Sequence, residues 1–242
     1  MTESINATWY ILAGRGWRDH VNLLHLPYTV WHLSYVVIGA SLAPTLHLDR
    51  LAYILVAFFL GLGIGAHYLD ELNGRPIRTR ISDQTLSAVA LLALLSASAV
   101  GVWGSVMVSL TFIPLVFFGF FMVYAYNLEL FRGRLHNVYW FSLGWGAFPV
   151  VTGFYVNALS ITPAVLAMAT ACFALSGTQQ VLSNHVKAIR RRVDVVGTIS
   201  FASGESKPLE KAFLVEAAES ALKLLSVTVV VFSIALFLSR LT

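Results

Sequence analysis

The sequence predicts an all-α fold, a polytopic transmembrane helical bundle of about seven spans forming a single domain over residues 1–242. Three observations lead there. Of the 242 residues 57% are hydrophobic and 12% charged, with a mean hydropathy of +0.75, whereas soluble domains carry about 25% charged residues. Charge-free apolar runs such as 86–100 and 106–123 are too long and continuous for the alternating strands of a membrane β-barrel. Finally, 14 of the 16 Lys and Arg residues cluster in alternate connections, as cytoplasmic loops do.

Taken in order, residues 1–27 hold Arg15, Arg18, Asp19 and His20 without a sustained apolar core. They are expected as an interfacial segment rather than a cleavable signal peptide, with Trp9, Tyr10 and Trp17 at headgroup level. Spans are expected at 28–46, 51–68, 85–101, 105–126, 138–157, 162–182 and 222–241. Arg15 and Arg18 precede the first span. Arg75, Arg78 and Arg80 follow the second, and Arg132 and Arg134 the fourth. Lys187, Arg190, Arg191, Arg192, Lys207, Lys211 and Lys223 lie between the sixth span and the start of the seventh. Only Arg50 and Arg240 fall on the other side. The positive-inside rule then puts the N-terminus in the cytoplasm, with the cell's inner (cytoplasmic) membrane as the expected location. The net charge of +4 and pI of about 9.3 therefore reflect topology, and no nucleic-acid partner is expected. The lone Cys172 excludes a disulfide framework and a cysteine-based metal site.

The long connection 183–221 is expected to be a cytoplasmic loop with an amphipathic helix. Ser206-Lys-Pro-Leu-Glu210 reads as that helix's start, with Ser206 capping and Pro208 in the first turn. Leu209, Phe213, Ala217 and Ala221 face away from Lys211, Glu216, Glu219 and Lys223, as in a lid or surface helix.

Polar chemistry is concentrated in three patches on the basic side. His67, Asp70 and Glu71 stand at i, i+3 and i+4, one helical face that suits a divalent cation. Arg75, Arg78 and Arg80 follow, and guanidinium forks match phosphate oxygens; the same arginines would equally pair with the acids. The second patch runs from Tyr126 and Asn127 through Glu129, Arg132, Arg134 and His136 to Leu143-Gly144. The third holds Asn184, His185, Lys187, Arg190, Arg191, Asp194 and Gly197-Thr-Ile-Ser200. His25 and His32 lie seven apart, on one face of the first span; with His67 and His136 they form a candidate site for another divalent metal or haem.

In their order these patches resemble the UbiA-type family of intramembrane prenyltransferases. Its first acidic motif and arginine-proline stretch align with Ala66 to Gly74 and Arg75-Pro76; its tyrosine-to-basic motif aligns with Tyr126 to Arg132; its second acidic motif aligns with Asp194 and Gly197 to Ser200. The resemblance covers roughly residues 20–200. It implies prenyl transfer from an isoprenoid diphosphate to an apolar or aromatic acceptor in a cytoplasm-facing cavity, with magnesium as cofactor. Asp70, Glu71 and Asp194 would be catalytic, and His67, Asp70 and Glu71 would hold the metal. Arg75, Arg78, Tyr126, Asn127, Arg132, Arg134, Asn184 and His185 would bind substrate. This sequence keeps only Asp70 of the first motif's three aspartates, and basic residues stand near Asp194 where the family has carboxylates. The alternative expectation is a non-catalytic UbiA-like subunit that binds lipid or a cofactor within a larger membrane complex, with membrane lipids, a long apolar ligand and partner subunits as its company.

Overall fold

The computed structural model describes residues 10–241; Trp9 lies outside them. The described chain is mostly helical. A short α1 (Trp17–Leu23) leads into α2 (Leu26–Ser41), α3 (Leu48–Leu72), α4 (Asp83–Met107), α5 (Leu110–Asn127), α6 (138–158) and α7 (Pro163–Arg192). A hairpin of β1 (Thr198–Ser200) and β2 (Ser206–Pro208) then precedes α8 (Lys211–Leu238). Five of these, α3, α4, α5, α7 and α8, are long and apolar enough to cross a membrane. Their outward residues, Leu92, Phe117, Leu224 and Val227 among them, are exposed apolar side chains, the surface that lipid covers.

Local chemistry sets the helix starts. The Ser82 hydroxyl accepts from the Thr85 N–H (3.1 Å), Asn137 Oδ1 from Tyr139 and Trp140 (3.0 and 3.2 Å), and Thr162 from Val165 (3.3 Å). Pro27 and Pro163 occupy first turns, where a missing N–H costs nothing.

Two expectations about the connection 183–221 are corrected. Helix α7 runs on to Arg192, because lysine and arginine are good helix formers and cations suit a helix C-terminus. Ser206 and Pro208 lie in β2, paired with Ser200 and Thr198, and the helix caps on Glu210 instead. From there α8 is unbroken to Leu238, so the expected surface helix and the last span are one element.

The core falls into two clusters. One, with Leu62, Leu86, Leu94 and Val123, joins α3, α4 and α5 to Trp145 of α6. The other, with Trp31, Tyr35, Phe154, Cys172 and Leu222, joins α2, α6, α7 and α8. Helices of the second cluster cross at backbone contact. A Cβ on Gly39 of α2 would stand 2.0 Å from the Val150 carbonyl oxygen, and one on Gly153 of α6 would stand 2.3 Å from that of Val36. Lipid offers no hydrophobic drive for helices to pair, so such close van der Waals crossings carry the association.

Charge closes the bundle at both ends. At the basic end Arg190 of α7 grips Glu219 of α8 through two hydrogen bonds of 2.8 and 2.9 Å, with side chains only 17% and 11% exposed. Glu219→Gln is expected to lower unfolding stability by about 2 kcal/mol, because it strands a mostly buried guanidinium. Denaturant titration of the purified chain measures this, and an unchanged midpoint would contradict it. At the opposite end the two exceptional arginines are carbonyl clamps: Arg50 donates to Val156 (3.1 Å), and Arg240 to Ala43 and Pro44 (3.2 and 2.8 Å).

Candidate functional site

Two of the helices widen into π-helical turns, α3 at Phe59–Ala66 and α6 at Ser142–Ala147, a feature that recurs at functional sites. In α6 the cause is legible. Pro149 has no N–H to donate to the carbonyl four residues back, that of Trp145, and this oxygen takes His32 Nδ1 instead at 2.8 Å. In α3 the Gly63 carbonyl takes His67 Nδ1 at 3.0 Å, and the Tyr126 carbonyl takes His136 Nδ1 at 3.0 Å. A carbonyl only accepts, so each of these Nδ1 atoms donates a proton to it.

The basic ends of α2, α3, α5 and α7, with the loop before α6, bring a polar cluster together at a solvent-reached vestibule. Asp70, His67, His25, His136, Lys187 and Arg191 belong to it. Lys187, His67 and His136 all act electrostatically on the Asp70 carboxylate, and Lys187 and Arg191 on each other. Solvent reaches the group: His25, His67 and Asp70 are half-buried, and His136, Lys187 and Arg191 are exposed. The His25 and His67 rings stack with centroids 4.6 Å apart, and Tyr10 bonds His25 Nδ1 at 2.6 Å. Burial drives the His25 imidazole well below its usual range, with the charges of His67, Lys187 and Arg191 adding to the effect. Residues Gln180, Asn184, Lys187 and Arg191 follow a 4-3-4 spacing along α7, one face of the helix. That face is oriented by Gln180 Nε2 donating to the Tyr126 phenol at 2.6 Å.

Tyr126 is also the inner wall. It stacks on His136 (4.4 Å) and packs on Trp145 (4.8 Å), which lies parallel to Phe141 at 5.3 Å. Beyond this aromatic layer an apolar crevice, partly open at the surface, runs between α3, α4, α5 and α6. Leu62, Ala97, Phe120, Trp145 and Phe148 line it.

The expected site residues separate into three groups. His67, Asp70 and Tyr126 meet at the vestibule, and Asn184 lies on its α7 face. Glu71 does not join them. It is fully buried, and its carboxylate accepts from Ile77 N–H (2.9 Å), Thr79 N–H (2.7 Å) and the Thr79 hydroxyl (2.8 Å). It anchors the loop after α3. Arg75 is likewise spent inside that loop, donating to the Ile81 carbonyl at 2.6 Å and pairing with Asp83. The buried Asn127 bonds back into α5, and its carbonyl receives Asn73. Arg78, Arg132 and Arg134 are exposed on the two loops. His185 turns to the Leu214 carbonyl of α8 (3.4 Å). Asp194 is exposed beyond the end of α7 and is not among the charges acting on Asp70.

The donor set does not fit the magnesium site that the family resemblance implies. Magnesium wants several hard oxygen ligands around one point. Among the described residues no three His, Cys, Asp or Glu residues converge as a metal site, and the two carboxylates whose charges reach the Tyr126 phenol are Asp70 and the exposed Glu129. The expected set of His67, Asp70 and Glu71 fails because loop donors occupy both Glu71 oxygens. Of the histidines considered for another metal or haem, His32 bonds the Trp145 carbonyl and His136 stacks on Tyr126, while the His25 and His67 rings stack on each other.

Residues that the sequence patterns did not single out as site residues are Gln180, Lys187 and Arg191 on α7, and Trp145 in the aromatic layer. The signal for the first three was the 4-3-4 spacing, hidden because the helix was expected to stop at 182. No protein family, curated protein or solved structure matches the chain.

Proposed function

We propose that the chain is a UbiA-like intramembrane protein that transfers the prenyl group of an isoprenoid diphosphate to an apolar or aromatic acceptor. The observation that carries this reading is the aromatic layer of Tyr126, Phe141 and Trp145, with a charged, solvent-reached vestibule on one side and an apolar crevice on the other. A long apolar chain with a phosphorylated head has this polarity. Its tail fits between α3, α4, α5 and α6, and its head meets Lys187 and Arg191. In the transfer the bond from prenyl C1 to the diphosphate oxygen breaks, and the diphosphate leaves with the electron pair. A bond forms from C1 to the acceptor, and the acceptor gives up a proton. The rings of Tyr126 and Trp145 face the cationic carbon as it develops.

In this reading α2 and α6 complete the bundle to seven spans. The 16 residues of α2 rise about 24 Å and the 138–158 helix about 31 Å. The N-terminus faces the cytoplasm of the inner membrane, since all but Arg50 and Arg240 of the cations lie at the vestibule end.

Release of diphosphate from a prenyl diphosphate by the purified chain, given a lipid extract as the source of acceptor, tests the proposal. No turnover and no binding at any chain length overturns it. The crevice has its own test. Ala97→Phe fills space beside Gly61, and it is expected to lower turnover or binding of geranylgeranyl diphosphate about ten-fold relative to geranyl diphosphate. An unchanged ratio would place the tail elsewhere.

A second reading, a non-catalytic lipid- or cofactor-binding subunit, is favoured by the engagement of the Glu71 carboxylate with its loop donors. Co-purification of a stoichiometric membrane partner, together with lipid binding but no turnover, would select it.

A further inference from the structure

Among the described residues no three ligating side chains converge as a metal site, while cations stand on one face of α7. We propose that this chain holds the anionic head of its ligand with the Lys187 ammonium, supported by Arg191 and by the amide of Asn184, in place of divalent metal ions. The inference rests on the reading of the vestibule as a phosphate-head site.

Three observations support it. The carboxylates that would make a second metal position are engaged or exposed: Glu71 takes three loop donors, Glu219 is bound by Arg190, and Glu129 and Asp194 are exposed, on the loop after α5 and beyond the end of α7. Lys187 itself makes no hydrogen bond or ion pair among the described residues, although it is solvent-exposed and stands within the field of Asp70. An ammonium held so, with three donors unused, is a ready phosphate ligand. Finally, α7 brings the next donors to the same face without a loop. Asn184 lies one turn before Lys187, and Arg191 one turn after it. Arg190, the neighbour that would otherwise compete for an anion, is turned away to Glu219.

Asp70 has opposite roles in the two arrangements, and this makes the proposal testable. If a metal bridged Asp70 to phosphate, removing the carboxylate would lose the ligand. If cations bind phosphate directly, removing it relieves repulsion. The full chain in detergent is titrated with inorganic pyrophosphate and with geranylgeranyl diphosphate, each in magnesium and in EDTA. The expected result is affinity for both within about three-fold between magnesium and EDTA. Lys187→Gln is expected to weaken binding about ten-fold or more in either buffer, with partial recovery in Lys187→Arg. Asp70→Asn is expected to bind as tightly as the parent or more tightly.

Binding only with magnesium, or loss in Asp70→Asn, overturns the proposal while leaving the prenyl-diphosphate reading intact. Unchanged affinity in Lys187→Gln overturns it as well. If geranylgeraniol binds and neither diphosphate does, the phosphate-head reading itself falls, and this inference with it. Chromatographic monodispersity of each variant separates a lost ligand from a lost fold.

Discussion

Gly153→Val is expected to take apart the crossing of α2 and α6 and to lower the stability of the bundle by about 3 kcal/mol or more. A Cβ at this position would lie 2.3 Å from the Val36 carbonyl oxygen, 3.1 Å from its carbon and 3.2 Å from the Ala40 nitrogen. These are backbone atoms of a helix. No rotamer change relieves the clash, and the two helices must move apart along their whole contact. The reciprocal substitution, Gly39→Val, meets the Val150 oxygen at 2.0 Å and the Phe154 nitrogen at 3.0 Å and is expected to do the same. Gly61→Ala is the control, because its Cβ would meet only Ala97 at 3.8 Å, an ordinary contact. Thermal unfolding and monodispersity in detergent measure all three. A Gly153→Val protein with the parent's midpoint would contradict the backbone crossing.

Glu71→Ala is expected to cost about 3 kcal/mol and to release the loop after α3. The side chain is 0% exposed, and its loss leaves the N–H groups of Ile77 and Thr79 and the Thr79 hydroxyl without their acceptor. Stranded buried donors cost more than the bonds themselves are worth in water. Glu71→Gln keeps the shape but turns an amide donor toward these donors, so it is expected to fall between the parent and the alanine variant. Trypsin reads the loop directly, since Arg78 and Arg80 lie in it, neither followed by proline. Faster cleavage there with a lower unfolding midpoint is the expected pair of results. A fully stable, trypsin-resistant Glu71→Ala protein that loses ligand binding would instead return Glu71 to the site.

Glu71 illustrates why part of the site was not legible in the sequence. It stands four residues after His67 and next to Asp70, so helical spacing groups all three. What removes it is a turn of the chain six to eight residues later, which brings the Ile77 and Thr79 amides back onto it. Arg75 and Asp83 are separated in the same way, by a loop closure that no periodicity encodes. Lys187 moves in the other direction. It looked like one of several topological cations until α7 proved to continue to Arg192, which set it on a face with Gln180 and opposite Asp70.

By itself the sequence determined the membrane class, the mostly helical architecture and the end of the bundle where polar chemistry gathers. Hydropathy and charge placement are properties of composition along the chain, and lipid enforces them segment by segment. Only the tertiary structure decided which of the polar residues face one another. It committed Glu71, Arg75 and Arg190 to holding loops and helices, left Asp70 and Lys187 facing a common space, and set one aromatic layer between that space and an apolar crevice. Those assignments depend on helix crossings at Gly39 and Gly153, on a carbonyl left open by Pro149, and on loop closures, all of which join residues far apart in the sequence.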